Sequence, residues 1–252
     1  MPALLADVIL AALPAAAILL YMARAGKAGA SGRSGAAPAG RVGARPAGFV
    51  LRAATLGFLA IIPAGGAELG LSALFPWASG TEAGLGARLV SAFAIVALVE
   101  EATKLLAARM ILAGKRGLGG RTGSIVCAIC VGAGFAFGES VLYALRGSAV
   151  LVLRAFSAAP AHALFSGIAG CFLGSSLFDR GRKGAWAAGL ACAVALHGLY
   201  DLLVGSPGYA PLAILVLLAS WIALRRAFGI ALKKDAADRN IPSYQSACSP
   251  IV

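Results

Sequence analysis

Acidic residues and histidines are scarce in this chain: ten Asp and Glu and two His in 252 residues, with all charged residues together at 13%. A typical soluble protein carries about 25%, so the composition excludes an ordinary solvated surface over most of the chain. Strand-like alternation of apolar and polar residues is missing as well, which argues against a transmembrane β-barrel. The first apolar run lacks a positive n-region and carries Asp7 instead, so it reads as a retained helix rather than a signal peptide. Cys127 and Cys130 form a C-x-x-C, but no second pair exists to complete a metal site. Inside an apolar run that spacing reads as two small apolar side chains on a helix. The net charge of +12 comes without a basic stripe interleaved with aromatics, so nucleic acid is not an expected partner.

What the chain has in abundance is apolar sequence. It is 60% hydrophobic with a mean hydropathy of +0.87. The apolar residues come in runs of about 20, the length that crosses a hydrocarbon core of about 30 Å. Helices satisfy their own backbone hydrogen bonds there, which lipid cannot do. The expected fold class is therefore all-α, a polytopic bundle of about seven transmembrane helices near residues 3–23, 50–75, 87–113, 123–146, 149–178, 185–204 and 210–228. Pro63 and the Gly65–Gly66 pair are expected kink points, and the fifth helix is long enough to be tilted or broken near Pro160. Trp77 marks an interface. The organisation that follows is an N-terminal helix (1–24), a flexible basic loop rich in Gly, Ala, Ser and Pro (25–48), a membrane core (49–232) and a polar tail (233–252).

The basic residues set the orientation. Arg24, Lys27, Arg33, Arg41 and Arg45 follow the first helix, and Lys115, Arg116 and Arg121 the third. Arg180, Arg182 and Lys183 follow the fifth, and Arg225, Arg226, Lys233, Lys234 and Arg239 end or follow the seventh; Arg88 and Arg146 are on the other side. This bias places the C-terminus, with the 25–48 loop, in the cytoplasm of a cell-membrane protein and the N-terminus outside. The same residues meet anionic headgroups of the bilayer.

Four acids, both histidines and a lysine fall inside the helices. They are Glu100, Glu101 and Lys104 in the third, Glu139 in the fourth, His162 in the fifth, and His197 and Asp201 in the sixth. Each ionisable group at the bilayer centre costs at least about 2.5–3.5 kcal/mol on insertion scales. They are tolerable together if they face inward and satisfy one another. Glu100 and Lys104 are four apart and share a helix face, as do His197 and Asp201. Two adjacent carboxylates exceed what interhelical hydrogen bonding needs and call for a bound cation or a shared proton. Glu68 lies at a similar depth to Glu139 but matches no motif. Gly134-x-x-x-Gly138 and Gly170-x-x-x-Gly174 read as close helix contacts.

Four segments on successive helices resemble the motifs of the PrsW family of membrane-embedded proteases. Val99–Leu106 (VEEATKLL) resembles its E-E-x-x-K motif. Gly134–Ser140 (GFAFGES) is similar to its F-x-x-x-E motif, with Phe135 and Glu139 in place. Ala161–Gly170 (AHALFSGIAG) resembles its histidine helix, and His197–Asp201 (HGLYD) its closing histidine motif. The likeness covers roughly residues 85–205. It departs at Ser140, where members often have Asn, and at the 25–48 loop, which has no counterpart. A more distant similarity extends to the CAAX prenyl endopeptidase group. The resemblance implies peptide-bond hydrolysis in a single-pass membrane protein, anti-sigma factors being the family's type of substrate.

Two chemistries are open at this stage. By analogy with the family's double-Glu motif, Glu100 is the general base, and Glu101 and Glu139 position the water. His197, held by Asp201, polarises the carbonyl; His162 assists, and Lys104 balances charge. Alternatively Glu101, Glu139, His162 and His197 hold Zn²⁺, although no H-E-x-x-H helix is present. Two other function classes use the same residue types: a proton- or cation-coupled transporter, against which the lack of an inverted repeat counts, and a non-catalytic membrane scaffold. The basic bias predicts that a reporter active only in the cytoplasm, fused to the C-terminus, gives a signal; a signal only from an external reporter would show that one helix is miscounted.

Overall fold

The protein is described from a computed structural model that covers residues 12–24, 47–78, 84–113, 120–145, 151–206 and 208–239. These residues form a bundle of helices. In chain order they are α1 (Ala12–Arg24), α2 (Ala47–Leu59), α3 (Ile61–Leu74), a 3-10 turn (Pro76–Ala78), α4 (Leu85–Leu89), a π-helical stretch (Val90–Ala97), α5 (Leu98–Ala113), α6 (Gly120–Leu145), α7 (Leu151–Phe178), α8 (Ala185–Val204), a 3-10 turn (Ala210–Leu212) and α9 (Ala213–Arg239). Five segments are long and apolar enough to cross a membrane: Ala47–Leu74, Gly120–Leu145, Phe156–Phe178, Ala185–Val204 and Ala210–Asp238. The run from Leu85 to Ala113 is as long but carries the charges of the site. The start of the first expected helix, most of the 25–48 loop and the end of the tail lie outside the described residues.

Helix α6 is the hub. In its most apolar window 78% of residues are buried, against 22% for the span built on α9. It packs on α7, α2, α5 and α9. Small residues make this possible, because in lipid the association of helices depends on close van der Waals contact rather than on hydrophobic expulsion. A methyl group at Gly134 would lie 2.0 Å from the Ala54 carbonyl oxygen of α2, and one at Gly57 of α2 would lie 2.0 Å from that of Val131. The two backbones therefore touch at two reciprocal points. Gly170 of α7 meets Ala128 and Ser124 of α6 in the same way. The C-x-x-C cysteines are buried here and form no disulfide, with Cys127 donating to the Ala108 carbonyl.

Several expected details differ. The second span breaks at Ala60, three residues before Pro63, not at Gly65–Gly66. Proline has no N–H for the Leu59 carbonyl and its ring crowds that turn. Helix α7 runs through Pro160 without a break. The third span contains the π-helical stretch directly before Glu100 and Glu101; its wider turns change the phase at which the following helix presents its residues. Helix α9 continues to Arg239, well past Lys233, where the polar tail is expected to begin. The reason is an ion cluster at that end of the bundle. Arg121 pairs with Asp179 at 2.6 Å, Asp238 at 2.6 Å and Asp235 at 3.2 Å, and Lys234 reaches Asp179 at 3.1 Å. Asp235 also accepts the backbone N–H groups of Arg121 and Thr122, at the start of α6. Burial alone would push the Asp179 carboxyl up, but its bonds to Arg121 and Lys234 hold it below its ordinary value.

The glycine contacts yield a paired prediction. Gly134→Val forces α2 and α6 apart and is expected to lower the thermal unfolding temperature in detergent, overpacking of this kind costing about 1–3 kcal/mol or more. Gly70→Val, where nothing lies within 4 Å, should leave it nearly unchanged.

Candidate active site

The site is built on one lysine. Glu100, Glu101 and Lys104 occupy the first two turns of α5, and all three are buried. The i,i+3 and i,i+4 spacings bring Lys104 Nζ to 2.6 Å from Glu101 Oε1 and 3.2 Å from Glu100 Oε2. The third hydrogen of the ammonium points across to α7, where His162 Nδ1 lies 2.9 Å away. All three donors are thus used. The Phe135 ring of α6 closes the underside, its centroid 4.5 Å from Nζ, a cation–π contact.

Each imidazole is held by a carboxylate on one nitrogen and turned inward with the other. His162 Nε2 donates to Glu139 Oε2 at 3.0 Å, and His197 Nδ1 donates to Glu101 Oε1 at 2.9 Å. Their second nitrogens, His162 Nδ1 and His197 Nε2, each lie 3.8 Å from Glu100 Oε2. The rings meet edge to face at 5.1 Å. Packing sets these positions. At Gly132 of α6 an added Cβ would lie 2.4 Å from the His162 carbonyl, so α7 approaches closely enough to deliver its histidine. Phe93 of the π-helical stretch lies against Gly198, next to His197.

The sequence places every expected residue at this site, and the structure brings them together, but it alters their relations. The expected metal set of Glu101, Glu139, His162 and His197 is not the one gathered: Glu100, His162 and His197 put their donor atoms within 4.8 Å of one another. Glu101 and Glu139 are tied to the outer nitrogens instead. Helix phase explains the exchange. Adjacent residues project about 100° apart, so only one of the two adjacent glutamates can face the gap between the histidines. The sequence spacing has Asp201 hold His197. It lies 3.3 Å from Nε2, but Glu101 makes the shorter contact on Nδ1. Residues that sequence reasoning passed over also contribute. Phe165 packs against His197 at 6.0 Å and Tyr200 at 6.1 Å, and the Tyr200 hydroxyl donates to Ser157 at 2.8 Å. Phe165 sits three residues after His162, on the same face of the helix, which is the one sequence signal that pointed to it.

Residues 45–224 match the model of the PrsW family, described as intramembrane metalloproteases. The chain belongs to the PrsW family. It is accordingly a multi-pass membrane protein and a membrane-embedded protease. No curated protein and no solved structure matches it.

A metal is implied by the family's description, and the residues fit one. Two imidazole nitrogens and a carboxylate are a zinc-type donor set. Metal-ligating histidines characteristically donate their other nitrogen to a carboxylate, as His162 does to Glu139 and His197 to Glu101. One oxygen of Glu101 is buried without a partner. Lys104 is the cation now balancing these groups. Lys104→Met should therefore lower the detergent unfolding temperature markedly, since removing one partner from a buried ion pair costs about 3–5 kcal/mol. Adding Glu101→Gln to that variant should recover part of the loss. A single variant as stable as the wild type would show that the carboxylates do not need the ammonium.

Proposed function

We propose that this protein is a membrane-embedded endopeptidase that cuts a peptide bond of a single-pass membrane protein at the Glu100–His162–His197 centre. The convergence of these three side chains from α5, α7 and α8 inside the bundle is the observation that carries the reading. In this reading Glu100, His162 and His197 hold a divalent metal, zinc being the ion their donor types suit. Such an ion, when bound, acidifies a water molecule to a pKa of about 7 and polarises a carbonyl.

The remaining residues serve that centre. Glu101 and Glu139 fix the tautomer and direction of the two imidazoles. Lys104 offsets the carboxylate charge that would otherwise be stranded in a low-dielectric interior. Phe135 and Phe165 wall off the rings and exclude water from their faces. Asp201, whose side chain is 28% exposed, stands beside His197, in a position to pass protons to water.

A metal-free route is favoured by one specific observation: the Lys104 ammonium already occupies the His162 nitrogen that a metal would use. On that route Glu100 takes the proton of the attacking water, and His197 with Asp201 steadies the oxyanion. An anti-sigma factor is the type of substrate proposed for either route, with the scissile bond near the outer membrane surface.

Co-expression with a tagged single-span substrate tests the proposal by the appearance of a shorter product. Glu100→Gln and His197→Ala are each expected to reduce cleavage by about 10²–10⁴-fold in protein that remains folded. Well-folded variants that still cut at near wild-type rate would remove the centre from catalysis. Loss of activity on chelation, restored by Zn²⁺, favours the metal route; activity that survives strong chelators in protein free of stoichiometric metal favours the carboxylate route.

A further inference from the structure

One carboxyl within electrostatic reach of this centre has no task in the scheme above. Glu68 lies on α3, four residues after Ala64, which is itself four residues after Ala60; both alanines are buried. This spacing puts Glu68 on the stripe of α3 that faces the bundle, while the outward residues Ile62 and Leu69 are exposed. Glu68 is half-buried and within electrostatic reach of Glu100, Glu139, Lys104 and His197. The other carboxyls of the centre are engaged: Glu100 and Glu101 by Lys104, Glu139 by His162, and Asp201 beside His197. Glu68 makes no hydrogen bond among the described residues.

Hydrolysis of an amide has a requirement to which neither route above assigns a residue. The nitrogen cannot leave as an anion and must take a proton as the C–N bond breaks. The donor must be within reach of the centre, untied, and able to regain its proton from water. Resting on the protease reading, we propose that Glu68 is the general acid of this site, protonating the departing amine. In the balanced step, the oxygen of water bonds to the carbonyl carbon and its proton goes to the base of the centre. The C–N bond then breaks, its electron pair takes the proton of the Glu68 carboxyl, and the proton left on the base passes through water to the Glu68 carboxylate, restoring both groups. The ionisable groups around Glu68 are Glu100 and Lys104 on α5, Glu139 on α6 and His197 on α8. On the other elements packed against α3, the only ionisable side chain is Arg52, on α2; the π-helical stretch and the 3-10 turn have none.

The test compares two substrates in detergent with full-length protein: a fluorogenic peptide cut by the wild type, and its analogue with an ester in place of the scissile amide. An ester's alcohol leaves without prior protonation, so it does not need the acid. Glu68→Gln is expected to cut the amide about 100-fold more slowly and the ester within about tenfold of wild type, with an unchanged unfolding temperature. Glu68→Asp, which keeps the proton, should recover part of the amide activity. Amide cleavage by well-folded Glu68→Gln near the wild-type rate would overturn the assignment, as would equal loss on both substrates. Should Glu68→Gln not fold, a Glu68→Asp variant that loses both activities equally would overturn it as well. A wild type that cuts neither substrate, while binding them, would overturn the protease reading itself and the proposal with it.

Discussion

Everything else at this site depends on the Lys104 ammonium and the three acceptors it holds. A charged side chain inside a membrane helix is expensive unless its partners are as buried as it is. Here the partners are two adjacent glutamates on the same helix and a histidine on another, all almost fully buried. The ammonium lets α5 carry two carboxylates into the bundle, and the His162 contact ties that helix to α7. Carboxyls nevertheless outnumber ammonium groups at the centre among the described residues. The imbalance is the physical reason that the centre suits a cation or mobile protons, the two requirements of metal-assisted and carboxylate-based hydrolysis.

The polar cluster needs a rigid frame, and α6 supplies it. Its glycines and small residues let α2 and α7 approach to backbone contact, so that the histidine of α7 and the phenylalanine of α6 meet Lys104 at fixed distances. At the far end, Arg121 draws three aspartates from α9 and the α7–α8 connection into one knot. The two polar clusters have opposite designs. The Arg121 knot pairs every aspartate with a basic group, as a structural clamp should. The Lys104 centre leaves carboxylate oxygens and imidazole nitrogens aimed at a common point, as a reactive site should.

Much of this was legible in the sequence. The long apolar runs decided that the chain spans a membrane, because no other environment suits so little charge. The ionisable residues within those runs decided which side chains form the site, because lipid does not tolerate them elsewhere. The i,i+4 pairs Glu100–Lys104 and His197–Asp201 followed from helix geometry alone. What only the tertiary structure decided were the relations between helices: that Glu100 rather than Glu101 faces both histidines, that Glu101 rather than Asp201 makes the closer contact to His197, that Lys104 reaches His162, and that Glu68 comes within electrostatic reach of the same centre. These depend on the rotation of each helix about its axis. The π-helical stretch before Glu100 and the contact distances permitted by Gly132 set that rotation, and no periodicity within a single helix encodes how it is turned toward its neighbours.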